Sequence, residues 1–206
     1  MKLTKYEQSG FILETDKGFR LALDIGMMTP LETLDGITVD AMLVSHIHRD
    51  HFTLEQIKKL SPKTLYLNQE CMDEVSEKLP FNVVIVKAGD NIDLGGGMST
   101  QFFEVDHGPN VSVRPKENHG FLIETEGKRI YFGGDIFYES GIDVTGLEVD
   151  YALLPVGTFY TFGPQEAFEF AKKFKKITKV VPMHYEKKLG MRDRFIELAK
   201  DIFETR

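Results

Sequence analysis

The sequence predicts an α/β protein: two mixed β-sheets packed face to face, with helices on both outer sides, four layers in all. Three observations predict it. Strand-like and helix-like segments alternate at both ends of the chain, with hairpins between them. Segments such as Thr38–Ser45 and Asp150–Val156 are apolar runs of the kind that buried strands carry. Neither half has enough apolar cover to stand alone, so residues 1–206 are expected to form a single domain.

Each element follows in order. "GFILET" and "FRLALDIG" read as two early strands around a turn at Asp16–Gly18. "TVDAMLVS" is a buried strand. A helix should begin near Thr53, because Thr53 and Gln56 match a capping box. "TLYL" is a short strand, Gln69–Leu79 a helix and "NVVIVK" another strand. "STQFFEVDH", "GFLIET" and "KRIYFGGD" form an all-β stretch, its last two runs joined at Glu126–Gly127. "DYALLPV" is a strand, and Pro164 sits near the start of the next helix, where a missing N–H costs least. "KVVPMHY" is a strand, and Met191–Phe203 a closing helix.

Composition narrows the function. A chain of 206 residues can bury a core without disulfides or a structural metal, so any metal is expected to serve chemistry. The net charge of -7 weighs against gripping a nucleic-acid backbone, although a local basic groove is compatible with it. The one cysteine, Cys71, allows no intramolecular disulfide and reads as a half-buried packing residue on a helix. The opening "MKLTKYEQSG" lacks the apolar region of a signal peptide, and no apolar run approaches a membrane span. A cytoplasmic protein is therefore expected.

Chemistry concentrates in "HIHRDH", which places His46, His48, Asp50 and His51 directly after an apolar strand. If the chain is still extended, His46 and His48 point the same way. Asp50 and His51 then fall in the turn before the helix at Thr53. Imidazole and carboxylate suit zinc and other borderline divalent ions. Chance produces this pattern in roughly three in ten thousand chains of this composition, so ordinary structural histidines explain it poorly. Further candidates end other apolar strands: His107 in "FFEVDHG", Asp135 in "IYFGGD" and His184 in "VVPMH". Singly, each reads as a capping or turn residue. Together and in this order, they favour a metal site.

These motifs resemble those of the metallo-β-lactamase superfamily, in order and over most of the chain. "LALDIG", with Asp24, is similar to that family's early strand-end aspartate. "YALLPVGTFYTFGPQEA" followed by "KVVPMHY" is similar to its small cytoplasmic hydrolase branch related to ascorbate-6-phosphate lactonase. The resemblance implies the family's αβ/βα sandwich and two divalent metal ions. His46, His48 and His107 would hold one ion, Asp50, His51 and His184 the other, and Asp135 would bridge them. Asp24 would buttress the histidine loop by hydrogen bonds without binding metal. His119 could replace His107 or line the substrate pocket. His107 is preferred because it directly ends a strand, whereas His119 follows the polar run "RPKEN". Zn2+ is the expected metal, and Mn2+, Fe2+, Co2+ and Ni2+ also suit the donors.

The resemblance further implies a hydrolase. A hydroxide held between two divalent ions is a nucleophile at neutral pH. Asp50 would orient it while binding metal and help carry a proton to the leaving group. An exported β-lactamase is disfavoured by the missing signal peptide. A flavin-linked di-iron oxidoreductase is expected to have Glu at His48 and an attached flavodoxin domain. Processing ribonucleases and glyoxalase II-type enzymes usually carry added domains. The expected substrate is therefore a small-molecule lactone, other ester or phosphoester, anionic if Lys187 and Lys188 attract it rather than simply flanking a helix. Tyr160 and Phe162, or Met27 and Met28, are candidate pocket walls, though loop residues of these types more often pack. The alternatives are a phosphodiesterase or nuclease acting on nucleic acid, and a non-catalytic metal-binding regulatory module. Arg49 is unassigned, and a homo-oligomer is compatible with the sequence.

Overall fold

A computed structural model describes residues 1–108, 110–137, 141–186 and 188–205. The chain divides into two units, one of residues 1–87, 94–97 and 115–117, the other of 88–93, 98–114 and 118–206. Each is built on its own sheet. No helix among the described residues is long and apolar enough to cross a membrane.

In the first unit, strands β1 (Lys2–Lys5), β2 (Phe11–Glu14), β3 (Arg20–Leu23), β4 (Ala41–Leu43), β5 (Thr64–Leu67) and β6 (Asn82–Ile85) lie side by side in chain order. β1–β2–β3 are antiparallel and β3 to β6 run parallel. Parallel neighbours need long crossovers. Helix α1 (Leu54–Leu60) and short helix α2 (Gln69–Asp73) lie in two of them. α1 buries Ile57 and Leu60 in a core with Met42, Val44, Leu65, Leu67 and Cys71. It ends at Ser61, which turns left-handed (φ 47°) and donates its N–H to Ile57 O, with Pro62 beyond.

Several boundaries differ from expectation. Thr53 does occupy the N-cap of α1, but its side chain makes no bond to the helix backbone. Its Oγ1 donates to Gln56 Oε1 at 2.6 Å, and Gln56 Nε2 donates to Thr29 O at 3.1 Å. The pair thus tethers the preceding loop. α2 stops at Asp73 instead of reaching Leu79. Val75 and Ser76, both weak helix formers, follow its end. Strand β1 was not expected, because "KLTK" is too polar and short to stand out.

In the second sheet the order is β13 (Glu204–Thr205), β12 (Lys176–Met183), β11 (Glu148–Pro155), β10 (Lys128–Phe132), β9 (His119–Thr125), β8 (Met98–Glu104) and β7 (Asn91–Gly95). β7, also unexpected, straddles the division between units. Glu126 and Gly127 both have positive φ (49° and 69°), the two-residue turn that matches strand twist. Helices α3 (Pro164–Ala171) and α4 (Leu189–Ala199) bury Phe168, Phe170 and Phe195 against Tyr131, Leu154 and Val180. α4 starts two residues earlier than expected and ends at Ala199. The chain then turns, Phe203 packs onto the core, and Glu204–Thr205 pair with β12.

Strand direction gathers the chemistry. β3, β4 and β5 are parallel, so Asp24, the loop Ser45–His51 and Asn68 emerge at one edge of the first sheet. β8 and β10 are each antiparallel to β9, hence parallel to each other and to β11 and β12. His107, Asp135, Gly157 and His184 therefore leave from one edge of the second sheet, and His119 enters β9 there. Carboxyl ends of parallel strands are where such sheets bind ligands.

Candidate metal centre

The histidine loop is wired to Asp24 in the first unit. Asp24 follows β3 in a left-handed conformation (φ 43°) and is fully buried. Its Oδ1 accepts the Ser45 N–H at 2.7 Å, and its Oδ2 accepts from Ser45 Oγ at 2.5 Å and from His51 Nδ1 at 2.7 Å. These contacts fix protons. The Ser45 hydroxyl is committed to Asp24, so at 2.9 Å His46 Nδ1 must donate to Ser45 Oγ. The lone pair of His46 is then on Nε2, and that of His51 is on Nε2 by the same reasoning. His46 Nε2 lies 3.0 Å from His48 Nδ1. Two nitrogens bound to one tetrahedral zinc stand roughly 3.3 Å apart, so this spacing suits a shared ion. Asp24, His46 and His51 bring ligand atoms within 4.8 Å of one another.

The loop's path depends on Gly26. A Cβ there would stand 2.3 Å from the Asp50 carbonyl carbon, closer than any real contact. Met27 N donates to Arg49 O at 2.8 Å, and His51 N and Phe52 N both donate to His48 O, closing the turn. Arg49 itself is exposed. Neither Ser45 nor Gly26 was singled out from the sequence. The signal was there in "DIG" and in a serine directly before the first histidine.

In the second unit, Asp135 is the hub. It is 2% exposed, and its Oδ2 lies 3.2 Å from His184 Nε2 and 3.5 Å from His107 Nε2. His107 Nδ1 donates to Gly108 O at 3.3 Å, which places the lone pair on Nε2 facing the carboxylate. Two electron-rich atoms this close need a proton or a metal ion between them. Asn118 Nδ2 donates to Asp135 O at 3.3 Å. His184 is left-handed (φ 59°), and a Cβ at Gly157 would lie 2.0 Å from its carbonyl oxygen. Strained backbone at Asp24 and His184 alike is what functional sites accumulate.

The remaining candidates fall out as follows. His119 is buried at the start of β9, with its ring edge-on to Phe102 at 6.1 Å. Phe162 packs into the apolar core with Phe170 (ring centroids 5.3 Å apart), so it is a core residue and not a pocket wall. Tyr160 is exposed beside Phe159, whose ring has Lys188 Nζ 5.8 Å from its centroid. Lys187 lies outside the described residues. Met27 is exposed and Met28 half-buried. Cys71 is buried, and burial, then the charges of Asp24, Glu70 and Glu117, push its thiol far above its ordinary range, which leaves it unreactive.

The donors suit a divalent metal, and the relatives agree. A family model described as "Beta-lactamase superfamily domain" matches residues 2–184. A protein of Pyrobaculum arsenaticum named a UPF0173 metal-dependent hydrolase is 30% identical over 200 residues, covering 90% of this chain and 84% of its own. Among solved structures, the metallo hydrolase Igni18 of Ignicoccus hospitalis aligns with a TM-score of 0.79 at 23% identity, covering 99% of this chain and 93% of that one. Zn2+-bound PqqB of Methylobacterium extorquens aligns with a TM-score of 0.69 at 13% identity, covering 99% and 86%. The fold is theirs, and the chain belongs to the metallo-β-lactamase superfamily as a metal-dependent hydrolase.

Proposed function

We propose that the two sets of donors act together as one binuclear centre that hydrolyses a small-molecule lactone, other ester or phosphoester. His46, His48 and His107 would hold one ion, Asp50, His51 and His184 the other, and Asp135 would serve both. Bound metal supplies an activated water and polarises the scissile group. The chain's own part is positioning. Asp24 keeps the His51 ring in one tautomer and one orientation, as outer partners of metal-binding histidines do. Ser45 does the same for His46. Asp50 orients the attacking water and carries its proton toward the leaving group.

The observation that carries this reading is the proton wiring: three imidazoles, His46, His51 and His107, each have Nδ1 committed as a donor and the lone pair on Nε2. Zn2+ is the metal the set suits best. All donors are imidazole or carboxylate, no thiolate takes part, and PqqB of the same fold binds Zn2+. Lys188 and the exposed Phe159–Tyr160 pair are the surface groups that would meet an anionic substrate at this edge of the second sheet.

The test is a substrate panel on metal-loaded protein: simple lactones, carboxylic esters, bis(p-nitrophenyl) phosphate, and single-stranded RNA and DNA. The expected result is chelator-sensitive turnover of at least one small-molecule class. Cleavage of polynucleotide with no small-molecule turnover would contradict the substrate assignment and favour a nuclease.

A further inference from the structure

Gln8 sits in the tight connection between β1 and β2, where Tyr6 N donates to Gly10 O at 2.7 Å and Gly10 N to Glu7 O at 2.9 Å. It is 4% exposed, and its backbone is left-handed, with φ 53°. Glycine adopts that conformation without penalty, whereas a residue with a Cβ is strained there. A buried amide side chain at a position whose backbone favours glycine needs a reason beyond the turn. The reason lies 42 residues away in sequence: Gln8 Nε2 donates to Asp50 Oδ2 at 3.2 Å. That oxygen is also 3.8 Å from His51 Nε2.

We infer that Gln8 is a positioning residue for Asp50, its amide N–H fixing the carboxylate with the held oxygen on the side of His51 Nε2, the donor with which Asp50 would share an ion. The inference rests on the binuclear reading above. The amide is suited to this work. It donates to the carboxylate without bringing a charge, and it is too weak a ligand to compete for a divalent ion against imidazole and carboxylate. Outer partners of this kind usually tune metal affinity by 10- to 100-fold when removed. The strain at Gln8 is then a cost retained for the site, and replacing the residue should separate stability from metal binding.

The decisive variant is Gln8→Gly, which deletes the amide and relieves the left-handed backbone. Gln8→Met, of similar shape without the donor, is its companion. The measurements are the melting temperature of the metal-free protein, stepwise Zn2+ affinity by chelator competition, and the visible spectrum of the Co2+-substituted protein. Gln8→Gly should melt at or above the wild-type temperature. In both variants the affinity of one of the two metal equivalents should fall about 10- to 100-fold, the other should hold, and the Co2+ bands of the weakened site should change. A merely structural role predicts the reverse for Gln8→Gly: a lower melting temperature with both affinities intact. Wild type with two equivalents and variants with unchanged affinities overturn the positioning role alone. Wild type that takes up fewer than two equivalents overturns the binuclear reading and this inference with it.

Discussion

The hairpin β2–β3 and the hairpin β9–β10 are built alike. "GFILET" and "GFLIET" open them, and a cross-strand pair closes each: Arg20 Nε to Glu14 Oε2 at 3.1 Å, Arg129 Nε to Glu124 Oε1 at 2.9 Å. In each, the arginine's N–H donates to an aspartate just before or within the next parallel strand, Asp40 at 2.9 Å and Asp150 at 3.0 Å. A lysine pairs with that aspartate: Lys63 at 2.7 Å and Lys128 at 2.8 Å. The hairpins differ where they end. After β3 the chain gives Asp24 at once. After β10 it gives Gly133 and Gly134 first, and only then Asp135. Asp24 N and Gly133 N occupy the same place, donating to Leu43 O and Leu153 O. Two extra residues thus separate a carboxylate enclosed by hydrogen-bond donors from one that faces the imidazole nitrogens of His107 and His184. One framework yields a hydrogen-bonded buttress in the first unit and, in the second, a carboxylate facing two imidazoles, which is the metal bridge of the proposed function.

That difference can be broken at its strongest point. Asp135→Ala should remove turnover by about a thousandfold or more, since metal-derived stabilisation is worth several kcal/mol, and should lower metal content with it. Turnover that persists at wild-type level would mean the carboxylate is not the hub. Asp24→Asn should act less severely. Metal affinity should fall about 10- to 100-fold through loss of His51 orientation, and added metal should restore part of the activity. Equal, unrescued losses in both variants would erase the distinction between buttress and bridge.

The smallest effect should come from the shared framework. Burial raises the Asp40 carboxyl, but the hydrogen bonds and charges of Lys63 and Arg20 outweigh it and hold it below the usual range. The same balance, with Lys128 and the Arg129 N–H, holds Asp150 down. A depressed carboxyl stabilises the fold above its unfolded pKa of about 3.9 and loses that contribution as pH falls through the lower folded value. Asp40→Asn and Asp150→Asn should each cost about 0.5–1 kcal/mol at pH 7. The cost should shrink below pH 4 in denaturant titrations. A cost that stays constant with pH would mean the pairs contribute by packing alone.

How much was legible in the sequence follows from how local each signal is. "HIHRDH" could be read because its donors are contiguous and follow an apolar strand. His107, Asp135 and His184 are isolated, and became a set only as ends of strands that run the same way. Ser45 and Gly26 adjoin motifs that could be read, but what they do, like the part played by Gln8, was not legible. Their work is visible only in three dimensions: a hydroxyl that donates to Asp24 and accepts from His46 Nδ1, a missing Cβ under the Asp50 carbonyl, and a side chain reaching across 42 positions. Helix limits were misread at Leu79 and Phe203, where apolar spacing continued past the point at which the backbone turned away. Phe162 was misread because a loop aromatic can fold inward as easily as it can line a pocket.

The measurement that tests the central claim most directly is element-resolved metal content per chain, taken on protein loaded with Zn2+ and freed of excess, for wild type and Asp135→Ala side by side. The account predicts two equivalents in wild type and a clear loss in the variant. One equivalent or fewer in fully loaded wild type, or the same content in both proteins, would contradict it.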